Sequence, residues 1–517
     1  MVRSTTSTPS AAPGSAALVT LVFCAGAGSM ATEICASRLL APYFGSSTIV
    51  WANVIGLILA SLSLGYVLGG RLADRRPQPR VLGLVVTAAA VLVTAVPFVA
   101  RPFLDLAVRG LDSLSTGAVV GSFFAALLLF APPVVLLGMV TPFAIRLTTR
   151  DVSTAGAAAG RVFALSTVGS LLGTFAPALV TIPLVGTQRT MIGAALLVAL
   201  AAALLLGPRW LVVGAAIGAL LALPPGFVKP TPGLLYERES RYQFIQVVQQ
   251  GATRYLYLNE GYAVHSQWQA DSVFTGGEWD MFLTAPPLLG RPVRRVAILG
   301  NAGGTTARAY GALYPQAAID GVEIDPAVSD VGRRYFGLGD NPRLTVYTAD
   351  ARPFLRSTAN RYDLILIDAY RQPYVPFYLA TREFFRLCRQ RLAPGGLVAL
   401  NVSTVPGDTR LAHDIAGTLA CEFPQVVTWQ ALRYNQFVVG LSEPLSRSAL
   451  AARLYHAPAA VRPLSDLFAA HMDFATPASC PWTDDRAPVE WITDRMIIDY
   501  AARGAGQPEQ LLPTAPD

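Results

Sequence analysis

The chain has 517 residues, 53% of them hydrophobic and only 14% charged, and its mean hydropathy of +0.44 excludes an ordinary water-soluble globular protein. A net charge of +7 and a pI near 9.2 would suit nucleic acid if the protein were soluble. Here the excess lies in residues 1–230, with 14 Lys+Arg against 5 Asp+Glu, while residues 231–517 carry 26 against 28; the basic groups then set membrane orientation, and no nucleic-acid partner is expected.

Taken in chain order, residues 1–15 are expected to be disordered and 16–224 to form an all-α transmembrane bundle. Apolar runs of about 20 residues, long enough to span, fall at 16–36, 49–70, 81–100, 118–140, 162–185 and 191–207. A seventh run, 211–223, is short and lies between Pro208 and Pro224, which fits a tight span, a re-entrant turn or an interfacial segment. The connection RLADRRPQPR (71–80) and the one holding Arg146, Arg150 and Arg161 are the most basic, so both are expected on the cytoplasmic side. Six spans return the chain to the cytoplasm, and seven would place its C-terminal half outside. The cytoplasmic placement is preferred, which makes this a multi-pass protein of the inner (cell) membrane. Glu33 and Arg38 in the first span are costly at membrane depth unless paired or hydrated. They line a polar cavity or, on the plainer reading, Arg38 sits at the interface and Glu33 pairs with a neighbouring helix. Gly65, Gly69 and Gly70, and Gly169 and Gly173, sit at helical spacing and suit close helix packing.

Residues 225–236, with Lys229-Pro-Thr-Pro232, read as a linker into a second domain at 237–503. Segments 243–248 and 255–258 alternate like a small hairpin around Gln249-Gln250-Gly251. Strands are then expected at 296–299, 318–323, 344–347, 364–367, 397–401 and 437–441, with helices near 305–313, 326–335 and 381–390 between several of them. Alternation of this kind predicts an α/β Rossmann-like domain of the class I methyltransferase type, with a mainly parallel sheet covered on both faces and a small N-terminal β-hairpin subdomain. The tail, 504–517, is expected to be disordered. Three widely separated cysteines, Cys388, Cys421 and Cys480, with no CxxC pair, point to neither a disulfide framework nor a metal site.

The most informative stretch is 295–368. Gly300, Gly303 and Gly304 follow one apolar strand and let the backbone approach a ligand, while Glu323 ends the next strand, where a carboxylate accepts both ribose hydroxyls. Asp350 follows the third strand, placed to accept from an adenine amine, and Asp368 ends the fourth, facing the same crevice. A lone glycine motif is weak; three strand-end acids in register with it point to a nucleoside site.

These residues resemble the spermidine synthase family of polyamine aminopropyltransferases, and the whole chain is similar to bacterial membrane proteins in which such a domain follows a transporter-like bundle. The likeness covers about 237–500. ERESRYQ (237–243) resembles the family's opening segment, GVEIDP (321–326) its ribose motif, TADAR (348–352) its Gly-Asp-Gly turn, and TREFF (381–385) follows as in the fused members. GYVLGGRLADRR (65–76) resembles a helix connection of major facilitator transporters. Six spans are half of such a transporter, so transport by the bundle would require a homodimer. The resemblance implies decarboxylated S-adenosylmethionine or S-adenosylmethionine as co-substrate, held by Gln243, Glu323 and Asp350 beside the glycine turn, with a small amine as second substrate and no metal.

The departures from the family bear on mechanism. GNAGG (300–304) lacks the acid that in the family holds the donor's terminal amine, and Arg371 stands where the family has its proton-accepting Asp. Arg stays protonated and cannot act as a base. Glu278-Trp279-Asp280 replaces the family's Tyr-His-Glu acceptor segment. Asp368 is expected to orient the acceptor or take its proton, next to Tyr370, with Tyr242, His265, Trp279 and Asp280 around the acceptor. Trp279 offers a face to a cation or packs under a loop. Three activities follow as expectations: aminopropyl transfer, methyl transfer from intact S-adenosylmethionine, or a membrane transporter or sensor regulated by nucleoside binding. Thr483 to Glu490, reading TDDRAPVE, is polar and carries no role that the sequence assigns.

Overall fold

The computed structural model describes residues 15–44, 48–111, 117–149, 151–223, 229, 231–259, 263–370 and 374–502. The termini expected to be disordered, most of the linker's first half, and Arg371 lie outside the described residues. The chain divides into two compact units, with the boundary between Pro230 and Thr231.

The first unit is helical: α1 (Ser15–Phe44), α2 (Thr48–Arg75), α3 (Pro79–Leu111), α4 (Gly117–Leu129), α5 (Ala131–Gly138), α6 (Val140–Thr148), α7 (Ala155–Ala176), α8 (Ile182–Leu206) and α9 (Leu211–Leu220). Among the described residues five helical runs are long and apolar enough to cross a membrane: Ala16–Tyr43, Trp51–Arg75, Pro79–Ala100, Ala131–Thr148 and Val152–Leu206. The last has 55 residues. It passes through a π-helical turn, Pro177–Thr181, and breaks at Gly186, whose φ is 83°, so it holds both runs expected between 162 and 207. The run expected at 118–140 is instead divided among α4, α5 and α6, with prolines at 132, 133 and 142 opening its turns. α9 has 10 residues, about 15 Å of helix, half the thickness of a bilayer core. α1 packs between α7 and α8 at the shortest distance backbones allow: a Cβ added to Gly173 would lie 2.1 Å from the Ala27 carbonyl oxygen. Glu33 and Arg38 are half-buried in α1. The outward faces stay apolar, with Phe163, Phe175 and Leu184 all more than half exposed.

The second unit has two sheets. The smaller is an antiparallel meander of β1 (Leu234–Glu239), β2 (Phe244–Gln250), β3 (Thr253–Leu258) and β4 (Val264–Trp268). It contains the expected hairpin and adds β1 and β4, whose polar composition hid them. The larger sheet contains β5 (Arg295–Leu299), β6 (Ala318–Glu323), β7 (Leu344–Thr348), β8 (Tyr362–Ile367), β9 (Leu392–Ser403), β10 (Gln425–Leu432), β11 (Asn435–Leu441) and β12 (Asp473–Ala475). Their order is β12-β10-β11-β9-β8-β5-β6-β7. β5 to β9 are parallel, while β11 runs antiparallel to β9 and carries β10 and β12 beyond it. A short helix, α10 (Ala285–Leu288), precedes β5. Two apolar cores sandwich this sheet. One includes Phe384, Phe385, Ile415 and Leu419; the other includes Tyr310, Leu450, Leu454 and Phe468. This is the α/β arrangement of a class I methyltransferase-type domain.

The topology positions the site. β5 lies centrally, with β6 and β7 on one side and β8 and β9 on the other, so the connections after β5 and β8 diverge and open a crevice at the strands' carboxyl ends.

Candidate active site

The glycine turn leaves β5 at Gly300, where φ is 89° and an added Cβ would meet the Asp368 carbonyl oxygen at 2.4 Å. Only glycine lets the turn lie against the end of β8. Ala302 holds φ at 44°, a costly conformation for a residue with a side chain, and its amide donates to Glu323 Oε2 at 3.0 Å. Gly303 N donates to Ser266 Oγ at 2.8 Å, which ties the turn to β4. Gly304, with φ at 93°, stands at the N-cap of α11 (Thr305–Leu313).

Glu323 is 7% exposed and also accepts from Asp325 N at 2.9 Å. Burial, partly countered by these amides, pushes its carboxyl up to about 7. Asp325 caps α12 (Pro326–Tyr335) through Ala327 N at 2.9 Å and receives the Ser240 hydroxyl and the Gln243 side chain. Ser240 Oγ in turn accepts from the amides of Tyr242 and Gln243, each at 3.0 Å. Gln243 is thereby brought beside the acids at the end of β6. Tyr242, 47% exposed, is absent from the cleft lining.

Asp350 caps α13 (Ala351–Ser357), with Oδ1 accepting from Arg352 N at 3.0 Å and Oδ2 from the Tyr378 hydroxyl at 2.7 Å. Both oxygens retain lone pairs for another donor.

Asp368, Tyr370, His265, Trp279 and Gly300 line one cleft, together with Ala302 of the glycine turn. Asp368 Oδ1 accepts from Asn401 Nδ2 at 3.0 Å, while burial pushes its carboxyl up to about 7. Tyr370 is a prop: its hydroxyl donates to the Asn401 carbonyl at 2.8 Å and accepts from Ser403 N at 2.9 Å. Burial holds the His265 imidazole down to about 4, hence neutral, and its Nε2 has no hydrogen-bond partner among the described residues. Asp280 is not part of the cleft lining. Only 5% exposed, it accepts from Thr275 N, Thr275 Oγ1 and Gly276 N at 2.8–3.1 Å and holds that loop together.

The acid that does line the cleft is Glu278, two residues earlier. Burial, then the charge of Asp368, pushes it up to about 8. The sequence reading names Glu278 in the acceptor segment without giving it a site role, and does not single out Asn401 or Asn435. A polar residue ending an apolar strand was the available signal for Asn401; nothing local marks Asn435.

Residues 281–431 match the spermine/spermidine synthase domain family. A probable polyamine aminopropyl transferase of Bifidobacterium longum is 34% identical over 200 residues, 38% of this chain and 44% of that protein. A polyamine aminopropyltransferase of Vibrio vulnificus is 38% identical over 110 residues, 21% of this chain and 37% of that protein. One from Nitrosomonas europaea is 31% identical over 246 residues, 43% of this chain and 71% of that protein. The chain thus spans less than half the length of the first two relatives and over two thirds of the third. Among solved structures, a probable spermidine synthase from Corynebacterium glutamicum aligns with a TM-score of 0.38 at 17% identity, over 56% of this chain and all of that one. Spermidine synthase from Thermotoga maritima aligns at 0.33 and 19% identity, over 41% of this chain and 73% of that one.

Proposed function

Because this chain belongs to the spermine/spermidine synthase family, we propose that residues 231–517 move an aminopropyl group from decarboxylated S-adenosylmethionine to an amine. The carrying observation is the half-buried Asp368, oriented by Asn401, in a cleft that shares the glycine turn with Glu323.

The residues present fit the nucleoside of such a donor. Glu323 faces ribose hydroxyls as an acceptor, Asp350 serves the base's amine, and the glycine turn admits the backbone close to the ligand. The donor's sulfonium activates its own carbon, so the chain supplies alignment, exclusion of water and a proton acceptor. Asp368 anchors the amine by charge and hydrogen bond. Tyr370, with its hydroxyl already engaged by Asn401 and Ser403, keeps the cleft wall rigid.

The helical unit we read as a multi-pass anchor in the inner membrane. Support comes from its length, its apolar outward faces and the basic 71–80 connection, which by charge lies on the cytoplasmic side together with the transferase unit.

Calorimetric titration of the detergent-purified chain with decarboxylated S-adenosylmethionine, S-adenosylmethionine and methylthioadenosine tests the reading. Preference for the decarboxylated donor, weakened at least about tenfold in Glu323→Ala, is expected, since removing a charge-assisted hydrogen-bond acceptor costs about 1.5–3 kcal/mol. Preference for the carboxylated ligand, with S-adenosylhomocysteine as product, would replace aminopropyl by methyl transfer.

A further inference from the structure

We propose that Glu278 and Asp368 form a paired-carboxylate site for a cationic primary amine, in which Asp368 anchors the ammonium and Glu278 takes its proton. This inference rests on the aminopropyl-transfer reading and names its proton acceptor.

The geometry carries it. Both acids line the same cleft, one from the 3₁₀ turn Glu278–Thr284 and the other from the end of β8. Among the described residues the cleft's lining contains no Lys or Arg. Its other titratable groups are His265 from β4, whose neutral ring has a buried Nε2 without a partner, and Tyr370, whose hydroxyl is engaged on both sides. Asp280, on the same turn as Glu278, is bound up with Thr275 and Gly276. Trp279 adds an aromatic wall, favourable to a cation. A cleft with two acids, a neutral imidazole and an indole selects a positively charged ligand that also donates hydrogen bonds.

The two acids are not equivalent. Asp368 accepts a hydrogen bond from Asn401, which favours its ionised form. Among the described residues Glu278 receives only its own backbone amide and feels the charge of Asp368, so it has the greater proton affinity. It is thus better matched to an alkylammonium, whose own pKa is about 10. The step balances as follows. R–NH₃⁺ gives its proton to the Glu278 carboxylate. The freed nitrogen lone pair attacks the propyl carbon bound to sulfur, and the C–S bond breaks with its electron pair passing to sulfur. The products are a neutral thioether and a secondary ammonium, and Glu278 then returns the proton to solvent.

The test uses the detergent-purified full chain saturated with methylthioadenosine and titrated with 1,4-diaminobutane, alongside transfer rates across pH. Wild type is expected to bind the diamine, and Glu278→Gln to bind it at least tenfold more weakly while keeping its methylthioadenosine affinity. Wild-type kcat/KM for the diamine is expected to level off once Glu278 is ionised, whereas in Glu278→Gln it should keep rising toward the amine's own pKa. Undiminished diamine binding in Glu278→Gln together with a wild-type pH profile would overturn the proposal, as would a wild type that binds no diamine. If Glu278→Gln loses methylthioadenosine binding too, Glu278→Asp decides: diamine binding retained supports the acid pair, and its loss overturns it. Diamine bound by wild type without any methylthioadenosine release from the decarboxylated donor would instead refute aminopropyl transfer and leave the amine site standing.

Discussion

Asn401 Nδ2 and Asp368 Oδ1 lie 3.0 Å apart across the ends of two neighbouring parallel strands, and this bond is the only side-chain donor that reaches Asp368 among the described residues. The amide is itself held, because Asn435 Nδ2 donates to Asn401 Oδ1 at 3.0 Å from the antiparallel β11. Asn401 cannot turn over without losing both bonds.

Removing that donor in Asn401→Leu is expected to raise the Asp368 carboxyl further above about 7, by about one unit. The Asp368 ionisation in the pH–rate profile should move up by the same amount. Near neutral pH the rate should fall about fivefold and recover in alkali. A loss of rate that is equal at every pH would mean that Asn401 only supports the fold.

Stability should depend on pH through the same acids. Burial pushes Glu278 up to about 8, and Glu323 and Asp368 up to about 7. A carboxyl raised in the folded state favours folding while protonated, so its contribution is intact below the unfolded pKa near 4 and is lost as pH rises through 7–8. His265, lowered to about 4, acts oppositely and loses its contribution as pH falls from about 6.5 toward 4. Comparing variants isolates one group. Glu278→Gln should gain stability over wild type between about pH 5.5 and 8.5 by roughly 1–3 kcal/mol, read as a widening difference in thermal midpoint. A difference that stays constant over that range would mean Glu278 is already solvated and ionised.

The polar segment 483–490 acquires a role in the structure. Asp484 takes both Nη1 and Nη2 of Arg352 at 2.7 and 2.6 Å and the Thr381 hydroxyl at 2.7 Å. Arg352 Nη1 also donates to the Tyr378 carbonyl at 3.1 Å, and Tyr378 is the residue bonded to Asp350. The late loop therefore braces Asp350, the acid proposed to serve the base's amine. Asp484→Asn should weaken methylthioadenosine binding about three- to tenfold and cost about 1–2 kcal/mol of stability, because one bidentate charged pair is lost. Calorimetry beside a melting curve checks both. Unchanged nucleoside affinity with lowered stability would confine the clamp to holding the loop.

Much of the domain is legible in the sequence. The apolar runs of β5, β6 and β8 have burial dictated by a sheet covered on both faces, and each ends at the carboxyl edge where a turn or an acid follows, so strand and strand-end residue are visible together. Strands β1, β4, β10 and β12 are not among those the sequence predicts. β1 and β4 are partly exposed and polar, and β12 has three residues, so none carries a strong period-two signal. β10, Gln425–Leu432, is apolar enough to read as a strand, although it is not among those expected.

The acceptor side was less legible, and the pair Glu278 and Asp280 shows why. Both are acids on one short turn, chemically alike and two positions apart. Sequence order favoured Asp280 by likeness to the family, yet the Thr275 and Gly276 amides claim it and leave Glu278 to the cleft. Capping competition of this kind depends on where a loop's amides point, which spacing does not encode.

By itself the sequence determined the two-part organisation, the Rossmann-like sheet, the glycine turn and the positions of the strand-end acids, because each follows from local periodicity, composition or strand-end chemistry. Only the tertiary structure decided which acid faces Asp368, that Tyr370 is a prop, and that Asn435, through β11 pairing with β9, orients the amide that bonds Asp368. Those assignments rest on hydrogen bonds between residues far apart in the chain, and the partner of a polar group is chosen by the folded geometry.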